Sequence, residues 1–460
     1  MDITTTDIPG LQIISLDVRG DSRGWFKENW QRRKMVQAGL PDFAPVQNNV
    51  SFNTTTGATR GIHAEPWDKL VSIVTGRIFG AWVDLRPGEG FGRCFTIEIG
   101  PETAVFVPRG VGNAFQTLAD ETAYSYLVND HWSLAARESY TFVNLADETL
   151  AIEWPIPLDR AELSDADRAH PRLGDVVPMP QRRTLVVGAR GQLGQALTSA
   201  MPDATGVGRD ALDLADPASV AAFDFSPYGV VINAAAHTSV DAAETDDGRR
   251  VAWATNVTGV AALVAAAREH RFTLVHVSSD YVFDGTTESH REDEAFAPLG
   301  VYGQTKAAGD ALVSGWAAHY LIRTSRVIGA GANFVRTMAS LADRGVEPGV
   351  VDDQYGRLTF TDELTRAILH LLGSGAPYGT YNVSNGGHPM SWADIAEVVF
   401  AARGRSAGAV TRVSADAYAA GKSLAPRPRH SALDLAKISA TGFAPVDARA
   451  RLQEYLQSLG

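Results

Sequence analysis

Tyr302 and Lys306 stand four residues apart in Tyr302-Gly303-Gln304-Thr305-Lys306. On a helix that spacing puts a phenol and an ammonium on one face. A nearby cation lowers a phenol's pKa and makes it a proton donor and acceptor at neutral pH. A surface Tyr and Lys at helical spacing is the plain alternative. Ser279, Asp280 and Tyr281 weigh against it, because they close the apolar run of TLVHVSSDY. Open α/β sheets bind ligands at such strand ends.

Leu185-Val186-Val187 leads into Gly188-Ala189-Arg190-Gly191-Gln192-Leu193-Gly194. Glycines at this spacing, after a buried strand and before a helix, suit a dinucleotide pyrophosphate. Gly188 allows a tight turn, Gly191 lets backbone N–H groups approach, and Gly194 permits close helix packing. After the short second strand comes Arg209, with no acidic residue read at the strand end. A cation there accepts a 2′-phosphate, so NADPH is the expected cofactor, with NADH the alternative. Asp213 and Leu214 lie where an adenine contact is expected.

The first part of the chain offers Arg23 and Glu28 in RGWFKE, Arg60 and His63 in RGIH, Lys69 in DKLV, and Asp167 in LSDAD. A histidine with a lysine and two arginines suits an anionic sugar nucleotide and can supply a base. Taken alone, His63 reads equally as a hydrogen-bonded strand histidine.

These groups require two scaffolds. Residues 1 to about 155 show period-2 alternation broken by turn residues, as in KLVSIVTGRIFGAWVDLRPGEG, which predicts an all-β sandwich or barrel. From Arg183, short apolar runs alternate with helical segments such as VTGVAALVAAAREH, which predicts a doubly wound parallel sheet. A polar stretch with Pro171, Pro178 and Pro180 lies between. The expected division is a β domain over 1–175, a Pro-stiffened linker over 176–182 and an α/β domain over 183–460.

Composition narrows the partners. The 460 residues carry a net charge of −12 and no Lys/Arg run, which argues against a nucleic-acid polymer or an anionic membrane. The single cysteine, Cys94, excludes a disulfide framework, and its alternating context predicts a small buried hydrophobe. No His/Asp/Glu cluster has ligand spacing along the chain, so no metal is expected. No basic start followed by an apolar stretch and no run of about 18 apolar residues is seen, so a cytoplasmic protein is expected.

The glycine motif, the NAAA segment, the strand-end serine and Y-x-x-x-K, in that order, resemble the extended short-chain dehydrogenase/reductases. SSDYVFDG, INAAAHTSVDAAE, YGQTK, GANFV and VVDDQYGRLTFTDEL bring residues 183–460 close to the dTDP-4-dehydrorhamnose reductase family. That resemblance implies hydride transfer from a nicotinamide to a 4-keto carbon, with Tyr302 as acid, Lys306 as modulator and Ser279 as the strand-end hydroxyl. It adds Ala234 and Ala235 to the cofactor contacts, and Asp280, Tyr281 and Asn333 to the substrate contacts. Two positions depart from the family pattern: Arg326 stands where Trp is usual, and His237 where Tyr is usual.

GDSRGWFKENW, RGIH, VPRGV, DETLAIEWP and LSDAD resemble the dTDP-4-dehydrorhamnose 3,5-epimerase family, cupin-like β-sandwiches, over residues 1 to about 175. The resemblance implies that His63 and Asp167 form the dyad that removes protons alpha to the keto group. Arg23, Glu28, Arg60 and Lys69 then bind phosphate, sugar or the enolate oxygen. It also implies a homodimer through this region. Trp132 stands where the family's acidic tyrosine is expected and Asn113 where a histidine is usual, which leaves His131 or Tyr126 as the acid. A full epimerase, a one-centre epimerase, one of altered substrate and a binding module all stay open. For the whole chain, the readings are an epimerase–reductase fusion, a reductase with an inactive β domain, or a regulatory subunit.

Overall fold

Val71, Ile73, Val105 and Val107 all point to one side of their strands and meet Ile78, Trp82, Val111 and Phe115 from a second sheet. This alternation makes the first part of the chain an antiparallel sandwich. The computed structural model describes residues 1–459. They separate into two units, Met1–Gln181 and the residues from Arg182 on.

The first unit's larger sheet runs, in spatial order, Ile3–Thr5, Gln12–Ser15, Thr103–Val107, Lys69–Thr75, Thr122–Val128 and Gln47–Asn53. The facing sheet runs Thr141–Phe142, Thr59–Ala64, Val111–Thr117, Ile78–Asp84 and Cys94–Ile99. Cys94 is partly buried, and burial raises its thiol to about 11, so it stays protonated. Leu173 and Met179 are buried in this unit's core, and Met179 N–H donates to the Leu85 carbonyl. Met179, inside the stretch read as a linker, is therefore packed against this unit.

The second unit is built on a fully parallel sheet in the order Thr205–Val207, Arg183–Val187, Tyr228–Asn233, Thr273–Ser279, His319–Thr324 and Gly379–Asn382. Leu185 and Val187 face one helical layer with Leu263 and Val264, while Val186 faces the other with Leu197 and Leu364. Burial on both faces is why these strands read as continuous apolar runs. The order reverses between Arg183–Val187 and Tyr228–Asn233, the point where such sheets open a ligand crevice. One helical stretch, Asp246–His270, is long and apolar enough to cross a membrane. Its Val260, Leu263, Val264 and Ala267 are buried against the sheet, and it opens on Asp246 and Asp247.

Candidate active sites

A cavity of about 840 Å³ opens at the reversal point of the second unit. Gly188, Arg190, Gly191, Gln192 and Leu193 line it at one end, with Arg209, Asp213, Leu214, Ala234 and Ala235. Ser279, Asp280, Tyr281, Tyr302 and Lys306 line it further in. The glycine turn is shaped for a dinucleotide. Gly188 has φ +81°, and a Cβ there would stand 2.8 Å from the Ala235 nitrogen. A Cβ on Gly194 would stand 2.2 Å from the Gly188 oxygen, so Gly194 serves helix packing, not the cavity. The helix Gln192–Ala200 starts directly after Gly191, with its first N–H groups free for an anion.

Arg190 pairs with Asp210 at 2.8 Å. Asp210 is an acidic residue just past the second strand that reading the sequence overlooked. It does not line the cavity, whereas Arg190, Arg209 and Asp213 do.

Tyr302 and Lys306 lie on the helix Val301–Ser314. Burial raises the Tyr302 phenol, against a hydrogen bond with Ser279 that lowers it. The expected cation effect of Lys306 is overridden: the phenol is held as a neutral proton donor. The Lys306 ammonium donates to the Val277 carbonyl at 2.8 Å. Ser279 donates to Asp280 Oδ1 at 2.9 Å. Burial lifts the Asp280 carboxyl to about 6, against hydrogen bonds with Ser431 and Ser279 that lower it. Arg326, in the left-handed region at φ +46°, forms part of the cavity wall. Its guanidinium stacks on Trp392 at 4.1 Å and donates to the Met390 and Gln354 carbonyls. His237 N–H is tied to Asn256 Oδ1 at 2.8 Å.

Asn333 is placed differently from the expectation. It caps the helix Phe334–Asp343 by accepting from Arg336 N–H, and its amide donates to the Gly329 carbonyl and the Tyr455 hydroxyl. It is not among the residues lining the cavity, because a capping asparagine is committed to the backbone it caps.

In the first unit, His63 Nε2 meets Asp167 Oδ1 at 2.8 Å. Ser164 fixes the carboxylate by donating to Oδ2 at 2.9 Å. Burial pushes the Asp167 carboxyl up, but the hydrogen bond and charge of a protonated His63, with the Ser164 hydrogen bond, outweigh it and hold the group below its ordinary value. When the ring is neutral and Nε2–H is donated to the carboxylate, the lone pair of His63 sits on Nδ1, the geometry of a general base. His170 lies 3.8 Å from Asp167 and is lowered by burial and by His63. The ligand atoms of His63, Asp167 and His170 fall within 4.8 Å of one another. The fold thus assembles a cluster that chain spacing did not show. The His63–Asp167 hydrogen bond already joins two of its members.

Lys69 is buried and paired with Glu65 at 2.6 Å, and its Nζ stands 5.4 Å from the Tyr126 ring. Burial, with Glu65 adding to it, raises Tyr126 to about 12. Glu65 was not singled out in the sequence. Asn113 pairs in register with His63 and accepts from the Tyr124 hydroxyl at 3.0 Å. Arg60 donates to Asn53 Oδ1 at 3.0 Å. Trp132 is 55% exposed and His131 is exposed on the turn after Thr122–Val128. Tyr126 is therefore the phenol the fold places beside Lys69. Arg23 and Glu28 are exposed and paired locally with Asp21 and Lys34.

Comparison with known proteins follows the same division. The family described as dTDP-4-dehydrorhamnose 3,5-epimerase matches residues 5–175, and the RmlD substrate binding domain matches residues 182–460. The protein RmlC homolog of Streptococcus pyogenes is 50% identical over 178 residues, 38% of this chain and 89% of that protein. The dTDP-4-dehydrorhamnose reductase of Aggregatibacter actinomycetemcomitans is 37% identical over 284 residues, 58% of this chain and 95% of that protein. A crystal structure of dTDP-4-dehydrorhamnose reductase from Bacillus anthracis in complex with NADP superposes with TM-score 0.56 and 30% identity, covering 61% of this chain and 100% of that one.

Proposed function

The chain belongs to the dTDP-4-dehydrorhamnose 3,5-epimerase family through its first unit and to the RmlD family through its second, and from that double membership we propose how it works as a bifunctional enzyme of dTDP-rhamnose synthesis. The observation that carries the reading is that each unit assembles its own proton-transfer group: His63–Asp167 beside one sheet, Tyr302–Ser279 beside the other. The epimerase role is assigned to residues 1–175 and the reductase role to 183–460, joined by 176–182.

In the first unit, His63 removes the protons flanking the 4-keto group, and Asp167 orients the imidazole and balances its charge. Lys69 and Arg60 face the developing enolate and the phosphates. Tyr126, beside Lys69, supplies the proton on the opposite face. Arg23 and Glu28 act from the exposed arm. The same arm and the edge strand Gln47–Asn53 leave Phe26, Val50 and Phe52 exposed at 69%, 62% and 59%. An apolar edge of that kind suits pairing with a second copy, which supports the homodimer.

In the second unit, bound NADPH supplies the hydride. Gly188, Gly191 and the following helix start hold its pyrophosphate, with Gln192, Leu193, Ala234 and Ala235 around it and Asp213 and Leu214 toward the adenine. Ser279 and Tyr302 hold the keto oxygen, and Tyr302 protonates it. Asp280 and Tyr281 hold the sugar. The setting that this chemistry implies is cytoplasmic.

The test is one incubation with dTDP-4-keto-6-deoxyglucose and NADPH, with products resolved by NMR. dTDP-L-rhamnose is expected. A reduced product that keeps the D-configuration would remove the epimerase half of the reading, and no NADPH oxidation would remove the reductase half.

Arg209 carries a narrower prediction. Arg209→Ala should raise KM for NADPH far more than KM for NADH, since a charge-assisted phosphate contact is lost. Equal changes for both cofactors would mean that Arg209 does not touch the 2′-phosphate.

A further inference from the structure

Asn233 and His276 are register partners on neighbouring parallel strands, and Lys306 reaches His276 from the helix Val301–Ser314. Their exposures are 0%, 1% and 2%, so water does not settle their hydrogen bonding. Asn233 Oδ1 accepts the Ala235 N–H at 3.1 Å. The other end of the amide, Nδ2, is therefore the donor to His276 Nδ1 at 3.0 Å. Burial is the leading cause that holds His276 well below its ordinary pKa, and Lys306 adds to it when protonated, so the ring is neutral. A neutral imidazole that accepts at Nδ1 carries its proton on Nε2. That nitrogen lies 3.5 Å from Lys306 Nζ. An N–H directed at an ammonium is unfavourable, whereas directed at a neutral amine it is a hydrogen bond.

The geometry points to His276, oriented by Asn233, as a positioning residue that sets the ionisation of Lys306 by turning an N–H toward its amine. This rests on the reading of Tyr302 and Lys306 as the reductase pair. Other groups act on the same amine. Burial is the leading cause that brings Lys306 down to about 8, while Asp310, four residues on along the helix, pulls it up. Asp310 is itself clasped by Arg323 of the strand His319–Thr324 at 2.9 Å. Tyr302 stands on the same helix, and Asp280 follows the strand that carries His276. His276 therefore acts with burial and against Asp310. The consequence is a lysine that exchanges its proton near working pH and is not a fixed cation.

Two measurements test this. In protein labelled with ¹⁵N-histidine, the His276 signal is identified by its loss in His276→Gln. It should show the Nε2-protonated tautomer across the neutral range, and an Nδ1-protonated ring overturns the inference. The second measurement is the pH profile of reductase kcat/KM, with NADPH affinity measured in parallel. His276→Leu removes the N–H, and the apparent pKa on the alkaline side should rise by about one unit. His276→Gln keeps a donor facing the amine, and its apparent pKa should return toward the wild-type position. No shift in His276→Leu, or equal shifts in both variants, would mean that the N–H does not act on Lys306. If His276→Leu fails to fold, the tautomer decides alone. A wild-type protein that fails to reduce the keto sugar would defeat the reductase reading separately, with the tautomer still measurable.

Discussion

Tyr302→Phe is expected to lower reductase turnover by about 10²–10⁴-fold, the usual worth of a positioned general acid, while NADPH affinity stays close to wild type. The substitution removes one hydroxyl and leaves a ring of the same shape, so the edge contact with Tyr281 at 5.7 Å is kept. What is lost is the proton. Burial raises the phenol above its ordinary value, so wild-type Tyr302 enters the reaction protonated, as reduction of a ketone requires. Ser279, bonded to the same phenol, still reaches the keto oxygen, but an alcohol is a poorer acid than a phenol. The measurement is single-turnover NADPH oxidation on a substrate already epimerised, which keeps the first unit's chemistry out of the rate. Turnover near wild type would remove Tyr302 from the mechanism.

The two sites were legible to different degrees, for physical reasons. Tyr302 and Lys306 could be read locally because a helix converts a spacing of four into a shared face. The glycine turn was legible because the strand before it and the helix after it are contiguous in sequence. His63 and Asp167 lie 104 residues apart, and only resemblance to a family joined them. Asn233 and His276 are 43 apart and meet only through strand register, so no pattern along the chain marked them. Tyr126 stood in the alternating pattern of an ordinary strand, and Glu65 beyond the end of one, so the buried pair with Lys69 that makes both relevant emerged only on folding. Asn333 is expected toward substrate, and the sequence reading left out its cap role: it stands ahead of an apolar helical run, and the structure uses it as that helix's N-cap.

His63→Ala is expected to abolish solvent exchange at the sugar carbons flanking the keto group. In deuterated water without NADPH, the wild type should take up deuterium at C3 and C5. Abstraction needs a base with a free lone pair, and Asp167 leaves that lone pair on His63 by taking its Nε2–H. His170 is not expected to substitute, because it lies 3.8 Å from the same carboxylate and burial, the leading cause, draws it below its ordinary pKa. Asp167→Asn should slow exchange without ending it: it removes orientation and charge balance, which the ring needs most once it is protonated, but leaves the base. Tyr126→Phe separates the two halves of the reaction. Lys69 remains to stabilise the enolate, so deuterium should still enter, but without a donor on the opposite face it should return with configuration retained. Inversion at both carbons in Tyr126→Phe would move the acid elsewhere, with exposed His131 the next candidate. Exchange that survives in His63→Ala, with the sugar nucleotide shown to bind, would remove His63 as the base; absence of exchange in the wild type would leave the first unit as a binding module, since a dyad that binds its substrate and abstracts nothing is not an epimerase.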